Sequence, residues 1–204
     1  MEKRIYDPDK ANLDETAARI ITDAINGLLQ KKLFVVMAVA GGRSVGGVFN
    51  ALIKHDIPWE AIHIFMVDEK LVPLEHEDSN FRLAQESFLE KLITEGKLPK
   101  GNVHPFIHDP TSPDLGLANY RKQLEQWGGS YDIVLLSSGE DGHIGALYPN
   151  HHSIRDTSPY YIAMDDGVKA PKERMSSSRK LLLRSKVAII LFYDDIKKDA
   201  LKMF

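Results

Sequence analysis

The sequence predicts an α/β fold, an open and mostly parallel twisted sheet with helices on both faces, and three observations predict it. Apolar runs of strand length alternate along the chain with amphipathic helical segments. The clearest runs are continuously apolar, as strands buried on both faces are. Polar and glycine-rich residues follow three of those strands, on the edge of the sheet where ligands of such folds bind.

The elements follow in order. Leu13, Ala17, Ile20, Ile21, Ala24, Ile25, Leu28 and Leu29 recur at helical spacing with polar residues between them, which makes an amphipathic helix. The run from Leu33 to Ala40 stops at Gly41-Gly42 and reads as a buried parallel strand. A helix near Val48 to Ile53, a strand near Ile62 to Val67 and a longer helix from about Asn80 to Ile93 come next, with Asp78-Ser79 as N-cap of the last. A short strand near Val103 to Phe106 precedes a helix near Leu115 to Trp127 that ends at Gly128-Gly129. Ile133 to Ser137 is the next strand. Beyond His143 lie a strand at Tyr160 to Ala163, a polar loop through Pro171 and Arg174, an apolar run from Val187 to Phe192 and a helix beginning near Asp195. There is no internal repeat or low-complexity linker, and 204 residues suit one domain spanning 1–204.

Composition excludes several classes. Hydrophobic residues at 43% and charged residues at 27% belong to a folded globular chain. Lys plus Arg number 26 against 29 for Asp plus Glu, and the net charge of −3 gives no overall field for nucleic acid or an anionic membrane. Anion binding must therefore be local. The lack of cysteine removes disulfides, thiolate zinc sites and a Cys nucleophile together. With no signal-peptide core and no apolar stretch of spanning length, the expectation is a cytoplasmic protein without a membrane partner.

Three segments after strands could carry chemistry. Gly41 to Gly47 lies between a strand and a helix, where free N–H groups and the helix dipole favour a phosphate, although it is neither a Walker motif nor a dinucleotide fingerprint. Asp68-Glu69-Lys70 puts two carboxylates and an ammonium at a strand end, where a solvated loop with an incidental ion pair is the simpler account. Gly139-Glu140-Asp141-Gly142-His143 is the most informative. Its glycines permit a tight turn, Asp141 and Glu140 can orient the imidazole, and an imidazole suits proton transfer near neutrality. His151-His152 lack a further spaced ligand, so no metal site is expected there, and His55, His63, His76, His104 and His108 are scattered singly without a role. Arg174 and Lys197 could each meet a phosphate, as fork and point charge.

Taken in order, Gly41-Gly42-Arg43-Ser44, Val67-Asp68-Glu69-Lys70-x-Val72-Pro73, Asp78-Ser79-Asn80, the Gly139 to His143 turn with Ala146-Leu147-x-Pro149, Pro171-x-x-Arg174-Met175-Ser176 and Lys197-x-x-Ala200-Leu201 resemble the 6-phosphogluconolactonase family, related to the glucosamine-6-phosphate isomerases. The resemblance implies a Rossmann-like sheet and hydrolysis of 6-phospho-D-glucono-1,5-lactone in the oxidative pentose phosphate pathway, without metal or organic cofactor. It implies a small phosphorylated sugar lactone as the partner; with the charge giving no sign of nucleic acid, the expectation is a monomer or small homo-oligomer that binds none. His143 matches the family's general base, with Asp141, Lys70 and Asp68 beside it as catalytic candidates, Lys70 acting on the carbonyl oxygen or the phosphate. Gly42, Arg43, Ser44, Arg174 and Lys197 match phosphate-holding positions.

The chain departs from the family in places. Lys70 replaces the usual Arg, Val45 a proline and Asp194 a nearby glycine, while Leu136-Ser137-Ser138 replaces a glycine-containing approach to the turn. The chain stops at Phe204 where the family continues, so it is either short or truncated. Two other readings compete. In an aldose-ketose isomerase of an amino-sugar phosphate, Asp68 would abstract the α proton, but such relatives carry Asn-Glu-Pro after the Gly-His. Here Gly145-Ala146-Leu147-Tyr148-Pro149 follows. The other is a non-catalytic sugar-phosphate binding protein.

Overall fold

In a computed structural model that describes residues 2–42 and 44–203, the apolar runs form a five-stranded parallel sheet. Its strands are β1 (Val35–Val39), β2 (Ile62–Met66), β4 (Val103–His104), β5 (Ile133–Ser137) and β8 (Val187–Leu191), in the spatial order β4-β2-β1-β5-β8. β1 and β2 are buried along their whole length, which is why they read as unbroken apolar runs rather than alternating ones.

The period of two along each strand divides the core. Met37, Val39, Ile64 and Leu135 face α1 (Lys10–Leu29), α2 (Gly46–Leu52) and a long helix, through Ile21, Ile25, Phe49 and Phe88. That long helix runs as α3 (Asn80–Ala84), a π-helical turn (Gln85–Leu89) and α4 (Glu90–Thr94). Val36, Ala38, Phe65, Val134 and Leu136 face the other way, against Tyr120 and Leu124 of α5 (Leu117–Gln126).

A second, antiparallel sheet completes that other layer: β3 (Asp68–Lys70), β7 (Arg174–Ser177) and β6 (Tyr161–Met164), in the order β3-β7-β6. Sequence reading placed Asp68 to Lys70 and Arg174 in loops, and this is corrected. Both strands are short and polar, and each exists because it pairs with a distant segment, Lys70 opposite Arg174 and Ile162 opposite Ser176. Short helices α6 (His152–Arg155), α7 (Arg179–Leu182) and α8 (Lys198–Met203) fill the connections, and none of the helices among the described residues is long and apolar enough to cross a membrane.

β1 leads to β2 on one side, whereas β5 lies on its other side, so the chain reverses its direction of travel across the sheet between β1 and β5. A crevice opens at such a reversal, outside the carboxyl ends of the strands. At the opposite end of the sheet Asp132 fixes the register. Its carboxylate accepts from the Val36 N–H at 2.8 Å and from Lys32 Nζ at 2.6 Å, with Lys186 Nζ at 3.0 Å.

His63 and His104, expected to be isolated, form a buried pair with Nδ1 and Nε2 3.0 Å apart. The His63 ring stacks on Trp127 at 3.4 Å between centroids. Burial lowers each imidazole to about 4. Free in an unfolded chain the same rings take up protons near pH ~6.5. Their neutral burial therefore contributes stability that is complete above about pH 6.5 and is lost as pH falls toward 4, up to roughly 3 kcal/mol for one ring. We expect the urea midpoint to drop across that window, with a shallower slope in His63→Phe. An equal slope in the variant would remove the pair as its cause.

Candidate active site

The crevice at the β1/β5 reversal is a cleft of about 520 Å³, and all three segments singled out from the sequence border it. Gly42 and Ser44 enter from the turn after β1, Asp68 and Lys70 from β3, and Gly139, Glu140 and His143 from the turn after β5. Arg174 and Lys197 complete the wall, so residues spread over more than half the chain converge there. Arg43 lies outside the described residues.

The turn after β5 is closed by its own backbone. The Gly139 N–H donates to His143 O at 2.8 Å, the Gly142 N–H to Gly139 O at 3.2 Å, and Ser138 bridges Ile144. Gly142 sits at φ 83°, in the left-handed region that a side chain resists. This closure brings Asp141 Oδ1 to 2.5 Å from His143 Nδ1. Burial pulls the Asp141 pKa up, but the hydrogen bond and charge of His143, the His143 N–H and Lys169 together hold it below the usual carboxylate value. An ionised Asp141 takes the Nδ1 proton as its partner and leaves the lone pair on Nε2, the arrangement a proton acceptor needs. Asp141 therefore orients His143 and does not itself border the cleft.

Asn80, a residue to which sequence reasoning assigned no role, ties two of the candidates together. Its Nδ2 donates to Asp68 O at 2.8 Å and to Asp68 Oδ2 at 3.0 Å, while its Oδ1 accepts from Lys70 Nζ. The cause is Glu69. Far from being an incidental ion-pair partner, it is a buried carboxylate accepting the N–H groups of Lys70, Asn80 and Phe81 at 2.9, 2.7 and 2.7 Å and the Ser79 hydroxyl at 3.1 Å. It thereby docks the start of α3 onto β3 and delivers Asn80 to the cleft. Burial raises the Glu69 pKa against those N–H groups, and burial also lowers that of Lys70, with Asp68 opposing and Arg174 reinforcing the shift. The only sign of Asn80 in the sequence was its place in the Asp78-Ser79-Asn80 motif.

The cationic side chains are held in different ways. Arg174 is buried and donates through Nε to Pro171 O at 2.7 Å and through Nη2 to Ala170 O at 3.3 Å. It thus shapes the loop that brings Lys169, another residue missed from sequence, to 3.9 Å from Asp141. Lys197 is buried, and its Nζ donates to Ser44 Oγ at 3.0 Å and Ser137 Oγ at 3.2 Å. An ammonium bridging two hydroxyls beside the Gly42 turn has the chemistry to bind an anion. Among the described residues, one further group of donors with metal-ligand chemistry stands outside the cleft. His151 and His152 lie there beside Asp166, a third residue of ligand type that the sequence reading did not find.

Asp194 borders the cleft at φ 71° and ψ 155°, a backbone region that essentially only glycine occupies. We expect Asp194→Gly to raise stability by roughly 1–3 kcal/mol by relieving that strain, and to lower KM for an anionic substrate by removing a carboxylate next to Lys197. Thermal unfolding and steady-state kinetics test the two effects separately, and a variant less stable than the parent would show that the conformation is not strained.

Comparison with known proteins identifies the family. Residues 8–204 match the family model described as glucosamine-6-phosphate isomerases/6-phosphogluconolactonase. The chain is 28% identical over 182 residues to the 6-phosphogluconolactonase of Borreliella burgdorferi, covering 89% of this chain and 77% of that one. It is 30% identical over 174 residues to the 6-phosphogluconolactonase of Neisseria meningitidis, covering 81% and 72%. The crystal structure of the Thermotoga maritima 6-phosphogluconolactonase superposes with a TM-score of 0.81 at 26% identity, covering 93% of this chain and 84% of that one. With residues 8–204 matched and the fold superposing, the chain belongs to the glucosamine-6-phosphate isomerase/6-phosphogluconolactonase family.

Proposed function

We propose that the protein is a cytoplasmic 6-phosphogluconolactonase that hydrolyses 6-phospho-D-glucono-1,5-lactone to 6-phosphogluconate. The observation that carries the reading is the Asp141–His143 pair beside a cleft walled by Lys70, Arg174 and Lys197. His143 Nε2 takes a proton from water as the water oxygen attacks the lactone carbonyl. Negative charge grows on the carbonyl oxygen, where Lys70, positioned by Asn80, stabilises it. Collapse of the tetrahedral intermediate breaks the bond from the carbonyl carbon to the ring oxygen, and the proton held by His143 passes to that oxygen. Lys197 with Ser44, and Arg174, hold the phosphate. Their binding energy orients the ring at the reacting carbon.

The isomerase reading is weaker at one place. Gly145 to Tyr148, the stretch after His143, supplies no carboxylate, and Ala146, Leu147 and Tyr148 are buried in a small apolar cluster against Ile162 and Met164. Asp68, which that reaction would use as its base, is instead held by Asn80. The deciding measurement is lactone consumption above the spontaneous rate, followed alongside isomerisation of glucosamine 6-phosphate. Enzymatic hydrolysis alone is expected. Binding of 6-phosphogluconate with neither activity would make the protein a sugar-phosphate sensor.

A further inference from the structure

We propose a second site, independent of the lactone cleft, in which His151, His152 and Asp166 bind a divalent transition-metal ion of the zinc type. One Nε2 or Nδ1 from each imidazole and one carboxylate oxygen lie within 4.8 Å of one another. The spread is what one ion can gather, since ligand bonds of about 2.0–2.2 Å around a tetrahedral centre set its donors a little over 3 Å apart. His152 Nε2 is 3.0 Å from Asp166 Oδ1 and 3.2 Å from Oδ2, and His151 Nε2 is 3.5 Å from Oδ1.

His151 supplies the observation that sets the group apart from an ordinary surface ion pair. Its Nε2 is buried and makes no hydrogen bond, the contact to Asp166 being too long or poorly aligned for one. A buried polar atom that makes no hydrogen bond is uncommon, and a role in holding an ion is one of its explanations. The ring's other nitrogen is already engaged. Nδ1 accepts the Ser153 N–H at 3.2 Å, which caps α6, and lies 3.0 Å from Ser153 Oγ. A metal on Nε2 moves the ring proton to Nδ1, which then donates it to Ser153 Oγ in exchange for the Ser153 N–H contact, the outer hydrogen bond that fixes a ligating imidazole. Two imidazoles and one carboxylate suit zinc and its neighbours, whereas magnesium and calcium prefer oxygen throughout.

The backbone places the ligands for this purpose. His151 caps α6 and His152 begins it, whereas Asp166 follows β6, three residues before Lys169. A bound ion would therefore staple α6 to the loop that presents Lys169 to Asp141 and carries the carbonyls held by Arg174. It stabilises the folded chain through mass action and takes no part in hydrolysis.

Calorimetric titration of the chelator-stripped full chain with Zn²⁺, in the presence of excess Mg²⁺, tests the site. We expect one-to-one saturable binding and a rise in Tm that grows with Zn²⁺ concentration, both retained in His143→Ala. Binding should weaken by at least about tenfold in His152→Ala and in Asp166→Ala. Both side chains are more than half exposed, so these variants should fold, and their lactone hydrolysis without metal should equal that of the parent. No saturable binding, or binding lost in His143→Ala but kept in both of the other variants, would overturn the proposal. The second result would put the ion in the lactone cleft.

Discussion

Replacing His143 by alanine is expected to lower lactone hydrolysis near neutral pH by about 10²–10⁴-fold, the usual worth of a positioned acid/base group. The loss should fall on kcat, because the side chains proposed to hold the phosphate sit elsewhere in the cleft and KM reports mainly on them. Unfolding would not explain it. The imidazole lies on a turn at the sheet's edge, and its removal leaves no buried charge unpaired, since Asp141 keeps Lys169 at 3.9 Å. Asp141 stays ionised near neutral pH, because its pKa is held below the usual value. Asp141→Asn removes the anionic acceptor of the Nδ1 proton, and kcat should fall with KM little changed. A kcat equal to the parent's would show that the pair does not set the rate.

The parts of this site that were legible in the sequence are those whose chemistry is local. The Asp141–His143 pair is two residues apart in a turn that its own glycines close, so residue type and spacing gave the turn, though not the strength of the contact. The parallel sheet was legible because strands buried on both faces must be apolar throughout, as β1 and β2 are. What could not be read was built from long-range pairing. Asp68 to Lys70 and Arg174 to Ser177 look like polar loops because each is a strand only when the other lies beside it, and nothing in either segment names its partner. Glu69 looked like half of a solvated ion pair, yet it is buried at the foot of α3, because the N–H groups it satisfies belong to residues eleven and twelve positions later. Asn80, His104 beside His63 and Asp166 beside His152 follow the same rule. Each acquires its role from a neighbour that only the completed topology supplies, whereas Lys197 and Arg174 were found through an ordered set of motifs.

Gly139→Ala is expected to cost on the order of 10²-fold in kcat while leaving the protein folded, the penalty for misplacing a reacting group by about 1 Å. A methyl group on Gly139 would collide with Cε1 and Nδ1 of the His143 ring and come within 2.7 Å of Asp141 Oδ1. Neither can yield independently, because the two are bonded to each other and the Gly139 N–H is bonded to His143 O. The ring must turn or the whole turn must open, and either moves Nε2 away from its place in the proposed mechanism. The fold has no comparable stake in this position, which lies on the cleft side of the sheet beyond the last residue of β5. Gly27→Ala is the matching control. It lies in α1 with no atom within 4 Å of the added methyl, and should gain roughly 0.5–1 kcal/mol of stability with kcat unchanged. A Gly139→Ala enzyme with the parent's kcat would mean that the rate does not depend on where the His143 ring stands, and the assignment of the base would fall with it.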